Sequence, residues 1–373
     1  MSPGGAAQTA FNTHIGLEDT KTFIIVAVIK IALVVFIMLT GVAYTTWLER
    51  KLVGRIQNRW GPTRVGPFGL LQPLADGIKF ILKEDMIPDS VHKGLFLLAP
   101  MLALTMSLIS IAVIPFGETI TVAGHTTALQ ISGVTHSGGG ISDINIGLLI
   151  ILGVTSIGVY GVALAGWSSN SKYSLLGSLR ASAQMISYEL ALGLSLVGIL
   201  LLSGSLSLRE IVNSQSGTWF WHIPKWYIFP QIVGFFIYLL AAFAETNRIP
   251  FDLPEAETEL VAGYHTEYSS MKFAMFFMAE YVNMFTVACL ASLLFFGGWH
   301  GPHIASAPAL VQSLLPVFWF ALKVFFFIFL YIWIRGTLPR FRYDQLMAFG
   351  WKFLLPLAIA NIIVTSLIVA WRG

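Results

Sequence analysis

Three glutamates lie in or beside long apolar stretches of the sequence: Glu189, Glu245 and Glu280. An ionised carboxylate is costly in an apolar interior unless a cation or hydrogen-bond donors compensate for the lost water. Each of the three is therefore expected to be protonated or paired with a cation. Lys323 stands near the middle of another apolar stretch and is the expected partner of Glu189 and Glu280.

More carboxylates follow Glu245 in a loop interrupted by prolines. Glu255, Glu257 and Glu259 alternate along this loop, and Glu267 comes shortly after them. Carboxylates that lie close together raise one another's pKa, and burial raises it further. A row of such groups can hold and pass protons near neutral pH. The alternative interpretation is a solvated acidic loop without such a role.

The composition decides which class of protein positions these groups. The chain has 373 residues, of which 56% are hydrophobic and 11% charged, with a mean hydropathy of +0.75. A soluble domain carries about a quarter charged residues, so the sequence predicts an integral membrane protein. The single cysteine, Cys289, excludes a Cys-ligated iron–sulfur cluster or structural zinc held by this chain alone.

Eight apolar stretches are predicted to cross the membrane, which makes the fold all-α and polytopic, with residues 1–373 as one membrane domain. They are 22–48, 94–116, 144–166, 181–204, 227–247, 273–297, 314–334 and 351–371. Most Lys and Arg residues fall in the alternate loops 49–93, 167–180, 248–272 and 335–350. The positive-inside rule places these loops in the cytoplasm and both termini outside. The charges are thus sorted by side of the membrane, and no nucleic-acid partner is expected.

The first cytoplasmic loop has two parts. Gly-Pro steps at 61–62 and 66–67 exclude a regular helix there. From residue 68 to 84, Leu and Ile recur at three- and four-residue spacing, which is typical of an amphipathic helix in the membrane interface. Such a loop either binds anionic lipid headgroups or frames a slot for a lipid-soluble ligand. The outer loops 117–143 and 298–313 contain His125, His136, His300 and His303 without helical ligand spacing, and are expected to be solvated rather than metal-binding.

At these residues the sequence resembles a family of membrane proteins from respiratory complex I, the NADH–quinone oxidoreductase. Members of this family, the H-type membrane subunits, join the membrane arm to the hydrophilic arm and help to form the quinone chamber. The matching stretches are 49–84, 179–193, 244–281, 296–299 and 335–355, and the run AETNRIPFDLPEAE is highly specific. One departure is Thr63, where the family usually has Asn, which puts any role of that side chain in doubt.

The resemblance implies a quinone substrate that enters beside the first helix and the interfacial helix. It also implies that this chain carries no redox cofactor, while NADH, FMN and iron–sulfur clusters bind to partner subunits. The residues that fall on the charged lining of the quinone passage are Glu49, Arg50, Arg55, Asp76 and Lys79. Those that fall on the chain of carboxylates leading to the proton path are Glu189, Glu245, Glu255, Glu257, Glu259, Glu267 and Glu280, which Lys323 joins through its expected pairing.

Three function classes remain open from the sequence. The first is the energy-coupling quinone subunit of an NADH–quinone oxidoreductase in the bacterial cytoplasmic membrane. Its partners would be hydrophilic-arm iron–sulfur and quinone-site subunits and small membrane-arm subunits. The second is the membrane anchor of a related proton-translocating hydrogenase, and the third is a free-standing cation/proton transporter. The chain has no GxGxxG motif or P-loop, so nicotinamide and flavin are expected to bind elsewhere.

Overall fold

The structure is a computed structural model, and it confirms an all-helical, polytopic fold. The residues it describes are 20–117, 119–122, 125–131, 134–135, 141–142, 144–218, 224–252, 261–302 and 309–372. The carboxylates Glu255, Glu257 and Glu259 and the histidines His136 and His303 lie outside these residues. Within them, seven helices are long and apolar enough to cross a membrane.

The long helices follow the predicted stretches, with ends that extend beyond the apolar cores. They are α1 (Thr20–Ile56), α3 (Lys93–Ile111), α4 (Gly147–Ser168), α5 (Lys172–Ser203), α8 (Ser270–Phe295), α9 (Ala309–Thr337) and the pair α10 (Tyr343–Phe349) and α11 (Leu355–Arg372), which a π-helical turn at Gly350–Leu354 joins. The short helix α6 (Leu208–Ser214) follows α5 in sequence. Its N-cap Ser207 accepts a hydrogen bond from the Glu210 amide.

The fifth predicted span, 227–247, forms a helix that is shorter than expected. Helix α7 runs from Ile232 to Glu245 and has 14 residues, or about 21 Å of rise against a hydrocarbon core of about 30 Å. Residues 227–231 form turns, and the side chain of the buried N-cap residue Gln231 bonds to α11 rather than capping the helix. Its Nε2 donates to Thr365 Oγ1 at 2.8 Å, and its Oε1 accepts from Asn361 Nδ2 at 2.9 Å.

The predicted interfacial helix is present as α2 (Gln72–Leu82), and none of its residues is buried. It begins at Gln72 rather than at 68, because Gly66 and Gly69 adopt positive φ angles of 72° and 77°. An added Cβ at Gly69 would lie 2.3 Å from the Pro62 carbonyl oxygen, so the turn requires glycine there. The far end of α2 is held by Ser270, whose hydroxyl donates to the Phe80 and Lys83 carbonyls at 2.8 and 3.1 Å.

The loop predicted at 117–143 contains two short antiparallel hairpins among its described residues. Strands β1 (Thr119–Val122) and β2 (His125–Ala128) pair with each other, as do β3 (Val134–Thr135) and β4 (Ile141–Ser142). The loop is anchored to the end of α3, because Gln130 donates from Nε2 to the Val113 carbonyl at 2.9 Å.

Small residues let the helices approach closely, as is common where membrane helices pack. At Gly161 on α4 an added Cβ would lie 2.9 Å from both the backbone nitrogen and the Cβ of Ala103 on α3. At Gly153, on the same helix, no atom lies within 4 Å of the added Cβ. These two glycines therefore offer a matched comparison of a packed and an open position.

We expect Gly161→Leu to lower the free energy of unfolding by about 1–3 kcal/mol, because the new side chain overpacks the α3–α4 contact. Gly153→Leu makes the same chemical change in open space and should leave stability nearly unchanged. The midpoint of thermal unfolding of the purified protein in detergent measures both effects. Equal midpoints for the two variants would contradict the close α3–α4 contact.

Candidate functional site

Glu49 lies near the end of α1, where three other elements converge on its carboxylate. The residue is 9% exposed. Its Oε2 accepts a hydrogen bond from the Tyr281 hydroxyl of α8 at 2.8 Å, and its Oε1 is paired with Arg335 Nη1 of α9. Arg248 Nη1 lies 3.8 Å from Oε2. The compensation that a buried carboxylate requires is therefore provided by two guanidinium groups and a phenol.

Arg248 connects this carboxylate to a second one. Arg248 comes three residues after the end of α7. It follows Asn247, whose φ of 49° lies in the left-handed region. Its Nη2 lies 3.9 Å from Glu280 Oε2, and its guanidinium centre lies 4.1 Å from the Tyr281 ring centroid. The side chain is 8% exposed. One arginine thus bridges Glu49 of α1 and Glu280 of α8 in a largely buried position.

Glu49, Arg248, Glu280 and Arg335 form what we call the carboxylate–arginine cluster. It contains two carboxylates and two guanidinium groups, so the formal charges balance when all four are ionised. The sequence prediction identified Glu49 and Glu280 but assigned no role to Arg248 or Arg335. A clue was present, since both arginines stand at the end of an apolar stretch on the same side of the membrane as Glu49.

Lys323 does not pair with Glu280 or Glu189, so this expectation was wrong. Its ammonium donates to three backbone carbonyls, those of Phe296, Gly298 and His300, at 2.8, 2.8 and 2.7 Å. Helix α8 ends at Phe295, and its last carbonyl groups form the negative end of the helix dipole. Lys323 of α9 lies beside this C-terminal end of α8, whereas Glu280 lies closer to the start of α8. The lysine therefore caps the turn that follows α8.

Glu280 also faces a small polar cavity. The Tyr264 hydroxyl donates to Glu280 Oε1 at 3.0 Å. Beside it lies a cavity of about 30 Å³ whose lining includes Glu245 and Asn283. The structure thereby brings Glu245 and Glu280 to the lining of one cavity, as a path between them requires. Tyr264 and Asn283 were not identified from the sequence.

Glu189 lies on α5 and is hydrogen-bonded by the Ser156 hydroxyl of α4. Glu189 is not among the residues that line the cavity shared by Glu245 and Glu280. Glu267 is partly exposed and lies after the segment that carries the other loop carboxylates.

The remaining predicted quinone residues lie at the surface around α1 and α2. Arg50 Nη1 pairs with Asp76 Oδ2 at 2.7 Å, and Gln72 Nε2 donates to Asp76 Oδ1 at 2.9 Å. The Arg55 guanidinium lies 4.2 Å from the Trp60 ring centroid. Lys79 is exposed. The Arg50–Asp76 pair therefore joins α2 to α1, and Lys79 remains at the surface.

Two cavities are lined in part by residues of α1. An apolar crevice of about 600 Å³ runs between α1, α8 and α9, and its lining includes Ile37, Phe285 and Val324. It reaches Leu48, next to a polar cavity of about 270 Å³ that Glu49, Arg50, Arg59, Trp60 and Arg335 help to line. An apolar space therefore adjoins a charged one at the end of α1.

His265 is 3% exposed and is packed against the rings of Tyr264, Phe273 and Phe276. Burial lowers the pKa of this imidazole to about 3. The side chain is therefore neutral at physiological pH. Among the described residues, no group of three or more His, Cys, Asp or Glu side chains could hold a metal ion.

Comparisons with known proteins identify the family of this chain. A family model described as NADH dehydrogenase matches residues 29–366. The chain belongs to this family. A protein of Koribacter versatilis, named as an H subunit of NADH-quinone oxidoreductase, is 73% identical over 94% of this chain and 98% of the relative. Proteins with the same kind of name from Solibacter usitatus and Geobacter metallireducens are 50% and 54% identical, over 95% and 93% of this chain and 99% and 96% of the relatives.

We expect acid to destabilise the fold through His265. Its folded-state pKa of about 3 lies below the value of about 6.5 for an unfolded chain. Between these values only the unfolded chain binds the proton, so this contribution to stability is complete above pH 6.5 and is lost as the pH falls toward 3. His265→Phe keeps an aromatic ring and removes the titration.

Thermal unfolding at pH 7.5 and pH 5.0 tests this effect. The loss of stability at the lower pH should be smaller in His265→Phe than in the wild type. His92→Phe, at an exposed position, should retain the wild-type pH dependence. An unchanged pH dependence in His265→Phe would show that this imidazole is not responsible.

Removing Arg248 should be severely destabilising, because it leaves two carboxylates with less compensation. Breaking a buried ion pair typically costs about 3–5 kcal/mol, and we expect Arg248→Met to lower the free energy of unfolding by about 3 kcal/mol. Arg342→Met at an exposed position is the matched control and should have little effect.

A double variant tests whether Arg248 acts on Glu280 directly. Glu280→Gln in the Arg248→Met background should recover part of the lost stability, since it removes the uncompensated charge. Strictly additive effects in thermal unfolding would mean that the two side chains do not interact.

Proposed function

We propose that this chain is the quinone-chamber and energy-coupling subunit of a proton-translocating NADH–quinone oxidoreductase. The observation that carries the proposal is the carboxylate–arginine cluster, in which Arg248 bridges Glu49 and Glu280. One end of the cluster adjoins the polar cavity at the end of α1, and the other adjoins the polar cavity beside Glu245. The names of the relatives support the same function.

The quinone headgroup is proposed to approach the charged surface formed by the ends of α1 and α2. Glu49 and Arg50 line the polar cavity, and Asp76 holds Arg50 in place. The apolar crevice along α1 offers room for a lipid-soluble tail next to this cavity. Arg55 and Lys79 supply positive charge at the surface, where the quinone passage meets a partner subunit.

Coupling is proposed to be electrostatic and to act through Arg248. Its two nitrogen–oxygen distances, 3.8 Å to Glu49 and 3.9 Å to Glu280, are nearly equal. Opposite charges 4 Å apart interact by about 4 kcal/mol at an effective dielectric constant of 20. A change of charge near Glu49 during quinone reduction would therefore shift Arg248 toward or away from Glu280 and alter the proton affinity of Glu280.

The proton path is proposed to include all the carboxylates that the resemblance indicates. Glu280, Glu245 and Glu189 form the intramembrane part, in which neighbouring groups share a cavity or interact through their charges. The loop carboxylates Glu255, Glu257, Glu259 and Glu267 are proposed to connect this part with the quinone cavity. Lys323 takes no part through a direct pairing with these glutamates, because its ammonium binds the carbonyls after α8.

The proposed setting is the bacterial cytoplasmic membrane, with the basic loops in the cytoplasm and both termini outside. The chain would bind quinone as a substrate, while NADH, FMN and iron–sulfur clusters would be carried by hydrophilic-arm subunits. Other small membrane-arm subunits would surround it. The relatives named as NADH-quinone oxidoreductase subunits favour this assignment over a hydrogenase anchor or a free-standing transporter.

Glu280→Gln tests the coupling role, because it keeps the shape of the side chain and removes its charge and titration. In the assembled complex we expect quinone reduction and proton pumping to fall at least about tenfold, the change that corresponds to 1.4 kcal/mol. Electron transfer from NADH to a soluble acceptor should remain normal, since it does not need the membrane path.

Glu210→Gln is the matched control, because Glu210 is an exposed residue of α6 and does not belong to the cluster. It should pump protons at the wild-type rate. Normal pumping by a fully assembled Glu280→Gln complex would overturn the coupling role proposed for this carboxylate.

A further inference from the structure

The cavity between Glu245 and Glu280 has a third polar group that the proposed relay does not use. Asn283 stands three residues after Glu280 on α8, so both side chains lie on one face of that helix. All three side chains line the cavity of about 30 Å³. The cavity is large enough for at least one water molecule, which needs about 10–15 Å³ of such volume.

The side-chain oxygen of Asn283 is buried, and it accepts no hydrogen bond from the part of the chain that the structure describes. Leaving a buried acceptor without a hydrogen bond is energetically unfavourable, because the acceptor loses its bonds to water. Buried polar atoms are therefore almost always hydrogen-bonded to protein or ordered water. The position of this oxygen in a polar cavity points to a donor located in the cavity itself.

The hydroxyl groups that line the cavity donate elsewhere. Ser107 donates to the Ala103 carbonyl at 2.8 Å, and Thr246 donates to the Ala242 carbonyl at 3.0 Å. Tyr264 donates to Glu280 at 3.0 Å. None of these protons is directed at Asn283, whereas a water molecule can donate to its oxygen and still bond to a carboxyl group.

We propose that Asn283 is a positioning residue that holds an ordered water between Glu245 and Glu280. This inference rests on the proposed proton path. Water in this position accepts a proton from the carboxyl group of one glutamate and gives one of its own protons to the carboxylate of the other. One O–H bond breaks and one forms at the water oxygen, so the water is regenerated and a single proton has moved.

An asparagine suits this position because its amide binds water without titrating. A third carboxyl group there would itself titrate and compete for the proton, and an apolar residue would leave the water with fewer partners. The amide oxygen therefore fixes the water between the two glutamates without taking up the proton that passes between them.

Two substitutions separate water positioning from packing. Asn283→Leu is similar in size and removes the hydrogen bond, so we expect it to dry the cavity and reduce coupled proton pumping at least tenfold. Asn283→Ala leaves room for another water in place of the amide and should retain a larger share of the rate. A purely structural role predicts the reverse order, because Ala leaves the larger packing defect.

Assembly and electron transfer from NADH to a soluble acceptor should be unchanged in both variants. Asn213→Leu makes the same change at an exposed position on α6 and should pump at the wild-type rate. Cryo-electron microscopy of the assembled wild-type complex, at a resolution that shows water, should reveal density within hydrogen-bond distance of Asn283 Oδ1.

Normal pumping in Asn283→Leu, or a cavity without water density, would overturn the inference. If either result is found while the Glu280→Gln complex fails to pump protons, the water bridge is rejected and the proposed function is retained. If Glu280→Gln itself pumps normally, the proposed proton path fails, and the density at Asn283 then decides only whether water is bound there.

Discussion

The requirement to compensate buried charge at Glu49 and Glu280 determines how the basic end of this protein is arranged. An ionised carboxylate buried away from water is costly unless a cation or hydrogen-bond donors compensate for the lost water. Arg248 reduces this cost for both carboxylates at once, and Arg335 adds a second cation at Glu49. These contacts require α1, the end of α7, α8 and α9 to meet at one place, so the helix packing and the cluster depend on each other.

Polar and charged residues lie on both sides of the cluster, from the surface near α2 to the interior of the bundle. Arg50 and Asp76 join α1 to α2, and the adjacent residue of α1, Glu49, belongs to the cluster. On the other side, Glu280 of the cluster and Glu245 both line the small cavity.

The opposite end of α8 has a different chemistry. There Lys323 is occupied by three carbonyls of the turn after Phe295, and its ammonium also lies 5.0 Å from the Trp226 ring centroid. This cation stabilises backbone that would otherwise be unsatisfied at a helix end. The cation that serves Glu280 is therefore the arginine that follows α7 and not the intramembrane lysine.

Run length, spacing and residue type are local properties, and they were enough to predict the membrane class, most of the spans, the interfacial helix and the acidic residues that need compensation. The contacts of Gln231 at the start of α7 were not predicted, because its partners on α11 are 130 or more residues away in sequence. The predicted partner of Glu280 was wrong, and the role of Arg335 was not predicted, because these contacts join residues that are far apart in the sequence. Glu49 and Arg335, for example, are separated by 286 residues. Only tertiary packing sets the level and rotation of one helix against another, and hence which cation reaches which carboxylate.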